Sequence, residues 1–217
     1  MTRPPTNGIS ALAWDADGTI INSFPVAAAA YEDIAELFGP RPKIGTAEDR
    51  IAAWRSIPRA DTTGTDGRPI LPALHRMLMR DRAPAMKLFD NVIGVVGRLI
   101  TRPALITASY AETAQTALKK HTDLFASIHG CEEGPKEQLM MEAAAAGVEC
   151  YVCDTARDVE RCRQVGVHSI GVTWGFDGVR RLTSARPDFI VHSASELAAT
   201  LTRLGFMEPT PTPNHGD

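Results

Sequence analysis

No run of apolar residues in this chain is long enough to cross a bilayer, and residues 1–7 hold Pro4 and Pro5 where a secretory leader would need an apolar core. These absences argue against a membrane anchor and an export signal of the usual kinds, so a cytoplasmic protein is expected. Basic residues are not in excess. Lys and Arg total 23 against 26 Asp and Glu, a net charge of −3, which makes no electrostatic case for nucleic acid as a partner. Cysteine is scarce, with only Cys131, Cys150, Cys153 and Cys162. Cys150 and Cys153 have the spacing of a zinc-ligand pair, but they lie in an apolar run that reads as a strand. Residues three apart on a strand face opposite sides, and no second Cys/His pair at ligand spacing completes a site. Reduced, buried thiols are expected. No internal repeat is present. What remains is 217 residues, 44% hydrophobic and 23% charged, enough for one sizeable core plus a smaller unit.

The most informative string is Ala13-Trp14-Asp15-Ala16-Asp17-Gly18-Thr19-Ile20. An apolar strand ends in two aspartates one residue apart, so their side chains leave on the same face. Gly18 permits a sharp turn and a close backbone approach. Two carboxylates at a strand end suit Mg²⁺, a hard cation that takes oxygen ligands. They also suit a division of labour in which one attacks and the other moves protons. A plainer reading, Asp15 as a helix cap and Gly18 as a turn former, explains the same octapeptide taken alone.

After Ile20 the pattern becomes helical. Tyr31, Ile34, Leu37 and Phe38 lie on one face of a helix over residues 26–38, stopped by Pro40 and Pro42. A second helix is expected at 47–54, a loop at 61–69, a helix carrying Leu71, Leu74, Met77 and Leu78, and an amphipathic stretch at 92–100. From residue 104 strands and helices alternate. Strands are expected at 104–107, 127–129, 149–153, 169–173 and 188–191, and helices at 111–120, 136–146, 155–165 and 195–204. That alternation predicts an α/β protein with a parallel sheet covered by helices on both faces. The block 25–90 then interrupts the pattern straight after its first strand. The expected organisation is an α/β core of 1–24 and 91–206, a helical cap of 25–90 and a disordered tail of 207–217. An insertion at that point sits over the carboxyl end of the first strand, where open α/β sheets bind ligands.

Further residues fall at strand ends or helix starts. Thr107, closing an apolar strand, can donate to a phosphate oxygen, while Ser109 caps the next helix. Lys136 opens a helix; it is either a solvated lysine or a cation that neutralises developing charge beside the aspartates. Asp154 ends a second apolar strand, and Asp158 comes about one helical turn later. Capping and the helix dipole explain one such Asp. They do not explain two separate strands that each deliver carboxylates. Trp174 and Phe176 read as packing anchors.

Taken together, Asp15-Ala16-Asp17-Gly18-Thr19, Thr107, Lys136 and Asp154 with Asp158 resemble, in order, the four motifs of the haloacid dehalogenase superfamily of phosphohydrolases, with a helical cap inserted after the first. Nearly the whole chain is covered. Residues 172–176 resemble the phosphoglycolate phosphatase branch. Cys153 departs from the pattern, which usually has Gly or another small residue before the Asp. The resemblance implies a Rossmann-like core and a Mg²⁺-dependent phosphatase acting on a small phosphorylated metabolite through an aspartyl-phosphate. It implies Asp15 as nucleophile, Asp17 as acid and base, Thr107 and Lys136 as phosphate-binding residues, and Asp15, Asp17, Asp154 and Asp158 around the metal. An Asp at position 17 points to phosphate esters rather than to carbon–halogen or carbon–phosphorus bonds. A phosphosugar mutase of the same superfamily and a catalytically silent binding module are the alternatives. In the cap, one or two of Arg41, Arg50, Arg55, Arg59, Arg68, Arg76, Arg80 and Arg82 are candidates to meet a substrate carboxylate or second phosphate. His75 is read as a surface or packing residue.

Overall fold

A computed structural model describes residues 11–38 and 70–209. The expected helix at 47–54, the loop at 61–69, Pro40, Pro42 and the arginines from Arg41 to Arg68 lie outside the described residues. The strands are β1 (Leu12–Trp14), β2 (Ile21–Asn22), β3 (Lys87–Leu88), β4 (Ala104–Ile106), β5 (Ser127–His129), β6 (Cys150–Cys153), β7 (His168–Val172) and β8 (Phe189–Val191). The α-helices described are α1 (Phe24–Phe38), α2 (Ile70–Asp81), α3 (Asp90–Val96), α4 (Ala111–Leu118), α5 (Lys136–Ala145), α6 (Ala156–Val165), α7 (Gly178–Ala185) and α8 (Ala194–Arg203). None is long and apolar enough to cross a membrane.

Six strands form one sheet in the order β5-β4-β1-β6-β7-β8, and every pairing in it is parallel. The central strands are buried on both faces, which is why they read as unbroken apolar runs rather than alternating ones. Successive residues serve different cores. Leu12, Trp14, Val152, Ile170 and Val172 pack on one side of the sheet. Ala13, Tyr151 and Cys153 pack on the other, against Leu139, Val159 and Leu182. Cys150 and Cys153 fall into opposite cores, and all four cysteines are free thiols.

The strand order places the ligand crevice. From β1 the chain passes to β4 on one side and later to β6 on the other. The carboxyl ends of β1, β4 and β6 therefore open onto one crevice, the usual ligand position in such sheets. The Asp15 N–H donates to the Val152 carbonyl at 2.8 Å, carrying the β1–β6 pairing one residue past Trp14.

Three features escape a reading of periodicity. Strands β2 and β3 form a separate antiparallel ribbon, with Ile21 opposite Leu88 and Asn22 opposite Lys87. Two residues per strand are too few to show alternation. Helix α7 holds a single buried residue, Leu182, among polar neighbours, so it shows no apolar face in the sequence. Met207, expected in a disordered tail, is instead buried and bridges to Leu99, while the Ile100 N–H donates to the Phe206 carbonyl at 3.0 Å. The packed core therefore extends through Met207.

Candidate active site

Asp15 stands immediately after β1 and is buried. Its Oδ1 accepts from the Ala16 N–H at 2.8 Å and lies 2.7 Å from Lys136 Nζ. Lys136, the first residue of α5, is equally buried, which overturns the solvated alternative. Its ammonium also meets Asp158 Oδ2 at 2.8 Å and sits 5.6 Å from the centre of the Tyr151 ring. Burial alone would lower the Lys136 pKa, but the charges of Asp15 and Asp158 outweigh it and raise the pKa instead. Asp158 behaves conversely. Burial works to raise its pKa, and Lys136 and Arg161 overcome that and hold it well below the usual carboxylate range. Both Asp158 oxygens are engaged by cations, Oδ2 by Lys136 and Oδ1 by Arg161 at 2.6 Å. Neither Asp158 oxygen is without a cation partner.

Asp17 lies three residues past the end of β1, where it bridges to Ile21. Its Oδ2 accepts from the hydroxyls of Thr107 at 3.1 Å and Ser109 at 2.9 Å, and its Oδ1 is buried with no hydrogen-bond partner among the described residues. The Thr107 hydroxyl accepts in turn from the Ser109 N–H at 3.0 Å. Ser109, expected from the sequence to cap α4, does not cap it. The cap residue is Tyr110, and the Ala111 N–H at the helix start is taken by the Glu132 carboxylate at 2.9 Å. Ser109 is thus a site residue that its resemblance to a cap concealed.

Asp154 ends β6, fully buried, and is not a helix cap either; Thr155 caps α6 by accepting from the Asp158 N–H. The Asp154 carboxylate accepts from the Phe176 N–H at 2.6 Å through Oδ2 and from the Thr19 hydroxyl at 3.4 Å through Oδ1. Two glycines make this fit. A Cβ on Gly18, whose φ is +77°, would fall 2.2 Å from Asp154 Oδ2, and one on Gly175 would fall 2.2 Å from Asp154 Cβ. The surrounding loop is held by the Trp174 Nε1–H donating to the Thr19 carbonyl at 3.1 Å and by ring contacts of Phe176 with Phe24 and Trp174 with Phe89. Both aromatics are the packing anchors expected of them.

Burial raises the Asp15 pKa well above its ordinary value, with Lys136 opposing and Asp158 and Asp154 adding to the rise. Burial likewise lifts Asp154 to about 7, with the Phe176 N–H opposing and Asp158 adding. Two buried carboxylates, with Asp154 raising the pKa of Asp15 and the backbone brought close by two glycines, suit a hard dication that takes oxygen ligands. Among the described residues no three metal-ligating side chains already form a cage. Mg²⁺ needs none, because it retains several waters and takes one or two carboxylates together with substrate phosphate. On that chemistry the residues fit the group.

His75, in α2, is half-buried, hydrogen-bonds to the Ala27 backbone and feels the charge of Asp17, which fits the packing role. Burial brings its pKa down to about 4, against the Ala27 bond and Asp17, with Arg76 adding to the fall.

No family model matches the chain. Relatives are nonetheless found along almost its full length. The phosphoglycolate phosphatase of Synechococcus elongatus is 27% identical over 210 residues, covering 90% of this chain and 99% of its own. That of Neisseria meningitidis is 25% identical over 238 residues, covering 89% and 94%. Among solved structures, a haloacid dehalogenase-like family hydrolase from Streptococcus pneumoniae superposes with a TM-score of 0.69 at 22% identity, covering 89% of this chain and 99% of that one. A haloacid dehalogenase family hydrolase from Deinococcus radiodurans, with bound phosphate and sodium, gives 0.63 at 17% identity, covering 94% and 99%. The fold is that of the haloacid dehalogenase-like hydrolases. In sequence the chain is similar to phosphoglycolate phosphatases over about nine-tenths of its length.

Two outcomes are expected. Gly175→Ala should push Asp154 out of place and cost about 1–3 kcal/mol by overpacking, read as a lowered midpoint in urea unfolding. For His75 the folded pKa, about 4, lies below the unfolded value of 6.5, so its neutral form favours the folded state. Its contribution is complete above pH 6.5 and is lost as pH falls toward 4, by at most about 3 kcal/mol at 1.36 kcal/mol per unit. His75→Gln should flatten that part of the stability–pH curve.

Proposed function

We propose that the protein hydrolyses the phosphate monoester of a small phosphorylated metabolite, of the kind named by its phosphoglycolate phosphatase relatives, through an aspartyl-phosphate on Asp15. The observation that carries this reading is the Lys136 ammonium 2.7 Å from Asp15 Oδ1, beside the Asp158 carboxylate that the same ammonium meets at 2.8 Å. Asp15 attacks phosphorus; its oxygen–phosphorus bond forms as the bond to the leaving oxygen breaks. Asp17 gives that oxygen a proton and later takes one from the water that hydrolyses the intermediate, which returns both carboxyls to their starting state. Because Oδ2 is occupied by Thr107 and Ser109, the unpartnered Oδ1 is the oxygen that carries this proton. Lys136 holds the phosphoryl oxygens and offsets the charge that builds on them, and Thr107 joins it by turning its hydroxyl from Asp17, which leaves Ser109 on Oδ2.

Asp15, Asp154 and the backbone carbonyl of Asp17 would hold Mg²⁺, with the Asp17 and Asp158 carboxylates behind them. Bound there, the ion supplies a positive charge that screens the nucleophilic carboxylate from the phosphate dianion. Residues 25–90 serve as a cap, of which α1 and α2 are described, and His75 brings α2 to the Asp17 side of the site. Closure of such a segment excludes water while the acyl phosphate persists.

Asp15→Asn should retain the wild-type circular dichroism yet lose turnover of p-nitrophenyl phosphate and 2-phosphoglycolate. Chelation should stop the wild type, and added Mg²⁺ should restore it. Near-normal release of phosphate by the variant, or turnover that persists in chelator, would overturn the assignment.

A further inference from the structure

Outside the motif residues, the described structure holds one cluster that the proposed mechanism leaves without a task. Arg161 lies one turn after Asp158 on α6 and is nearly buried. Its Nη1 meets Asp158 Oδ1 at 2.6 Å and its Nη2 meets Glu137 Oε1 at 2.5 Å. Glu137 is the residue after Lys136 on α5. Lys136, Asp158, Arg161 and Glu137 therefore form a closed ring across two helices. Arg157 joins it from the exposed side, 3.0 Å from the same Glu137 oxygen.

Each oxygen of Asp158 has its own cation, and the Lys136 ammonium is shared between Asp158 and Asp15. The direction of Asp158 fixes where Lys136 points. Charge counting leads to the same place. Asp15, Asp158 and Glu137 are balanced by Lys136, Arg161 and Arg157; without Arg161, Asp158 would draw Lys136 to itself, and the pocket would meet a phosphate dianion with one more negative charge. In a buried setting such charges are weakly screened.

We infer that Arg161, braced by Glu137, is a positioning residue for the Asp15 centre: it satisfies Asp158 so that the Lys136 ammonium stays on Asp15 with charge to spare for an arriving phosphoryl group. This rests on the phosphatase reading of the same site. A purely structural arginine would stabilise α6 and leave the response to phosphate untouched.

The test uses full-length protein, p-nitrophenyl phosphate with Mg²⁺, and orthophosphate as inhibitor. Arg161→Met should lower kcat about 10²-fold, the scale of a small misplacement at a reacting centre, and weaken orthophosphate inhibition. Arg161→Lys should recover part of kcat, and guanidinium ion added to Arg161→Met should recover part as well. A folded Arg161→Met with wild-type kcat and wild-type orthophosphate inhibition overturns the inference. So does a loss that neither lysine nor guanidinium relieves. Should Arg161→Met fail to fold, Glu137→Gln decides, because Glu137 is half exposed and touches no site residue but Arg161. It should lower kcat several-fold with weaker orthophosphate inhibition, and unchanged values overturn the inference. A wild type that neither releases phosphate nor binds orthophosphate sinks the phosphatase reading and this inference together. A working wild type with indifferent variants sinks this one alone.

Discussion

The site depends on one buried cation shared between two buried acids. Lys136 reaches Asp15 and Asp158 at 2.7 and 2.8 Å, and none of the three is in appreciable contact with water. Removing one member of such a pair typically costs about 3–5 kcal/mol, because the charge left behind is buried and unmatched. The acids cannot therefore be placed first and balanced later. Strand β1, helix α5 and helix α6 must dock together for any of them to be tolerated. A parallel sheet makes that docking routine, since it sends successive strand ends and helix starts to the same edge.

Asp154 is held by different means. Among the described residues no cation forms an ion pair with it. The Phe176 N–H and the Thr19 hydroxyl donate to its oxygens, and glycines at 18 and 175 keep the walls back. The molecule thus contains one acid neutralised by a fixed ammonium and another left to hydrogen bonds. Their contrast in environment is what makes an external dication the natural complement of the second.

Much of this was legible in the chain. Apolar runs ending in Asp15, Thr107 and Asp154 marked three strand ends, and doubly buried parallel strands leave just such a trace. Lys136 and Asp158 were found by their place at helix starts. The partners were not legible. Ser109 looked like a cap because serine before a helix usually is one, and only the fold turns its hydroxyl to Asp17. Arg161 sits three residues after Asp158, a spacing common to any helix surface, and Glu137 is one acid among many. Nothing in their local pattern reveals that two helices bring them together. The ribbon of β2 and β3 carries too few residues to announce itself, and Met207 lies beyond a helix end where composition turns proline-rich.

That ribbon has a bearing on how such a chain can change over generations. Ile21 faces Leu88 and Asn22 faces Lys87, so the two points at which the chain departs from and rejoins the sheet are neighbours joined by backbone hydrogen bonds. Whatever lies between them enters and leaves through one narrow doorway. Met79, Ala83 and Met86 within it pack into the same core as Leu12 and Trp14, so the part nearest the doorway is bound to the sheet. A change in length between β2 and β3 leaves the two ends of the ribbon where they are, provided its backbone pairing holds.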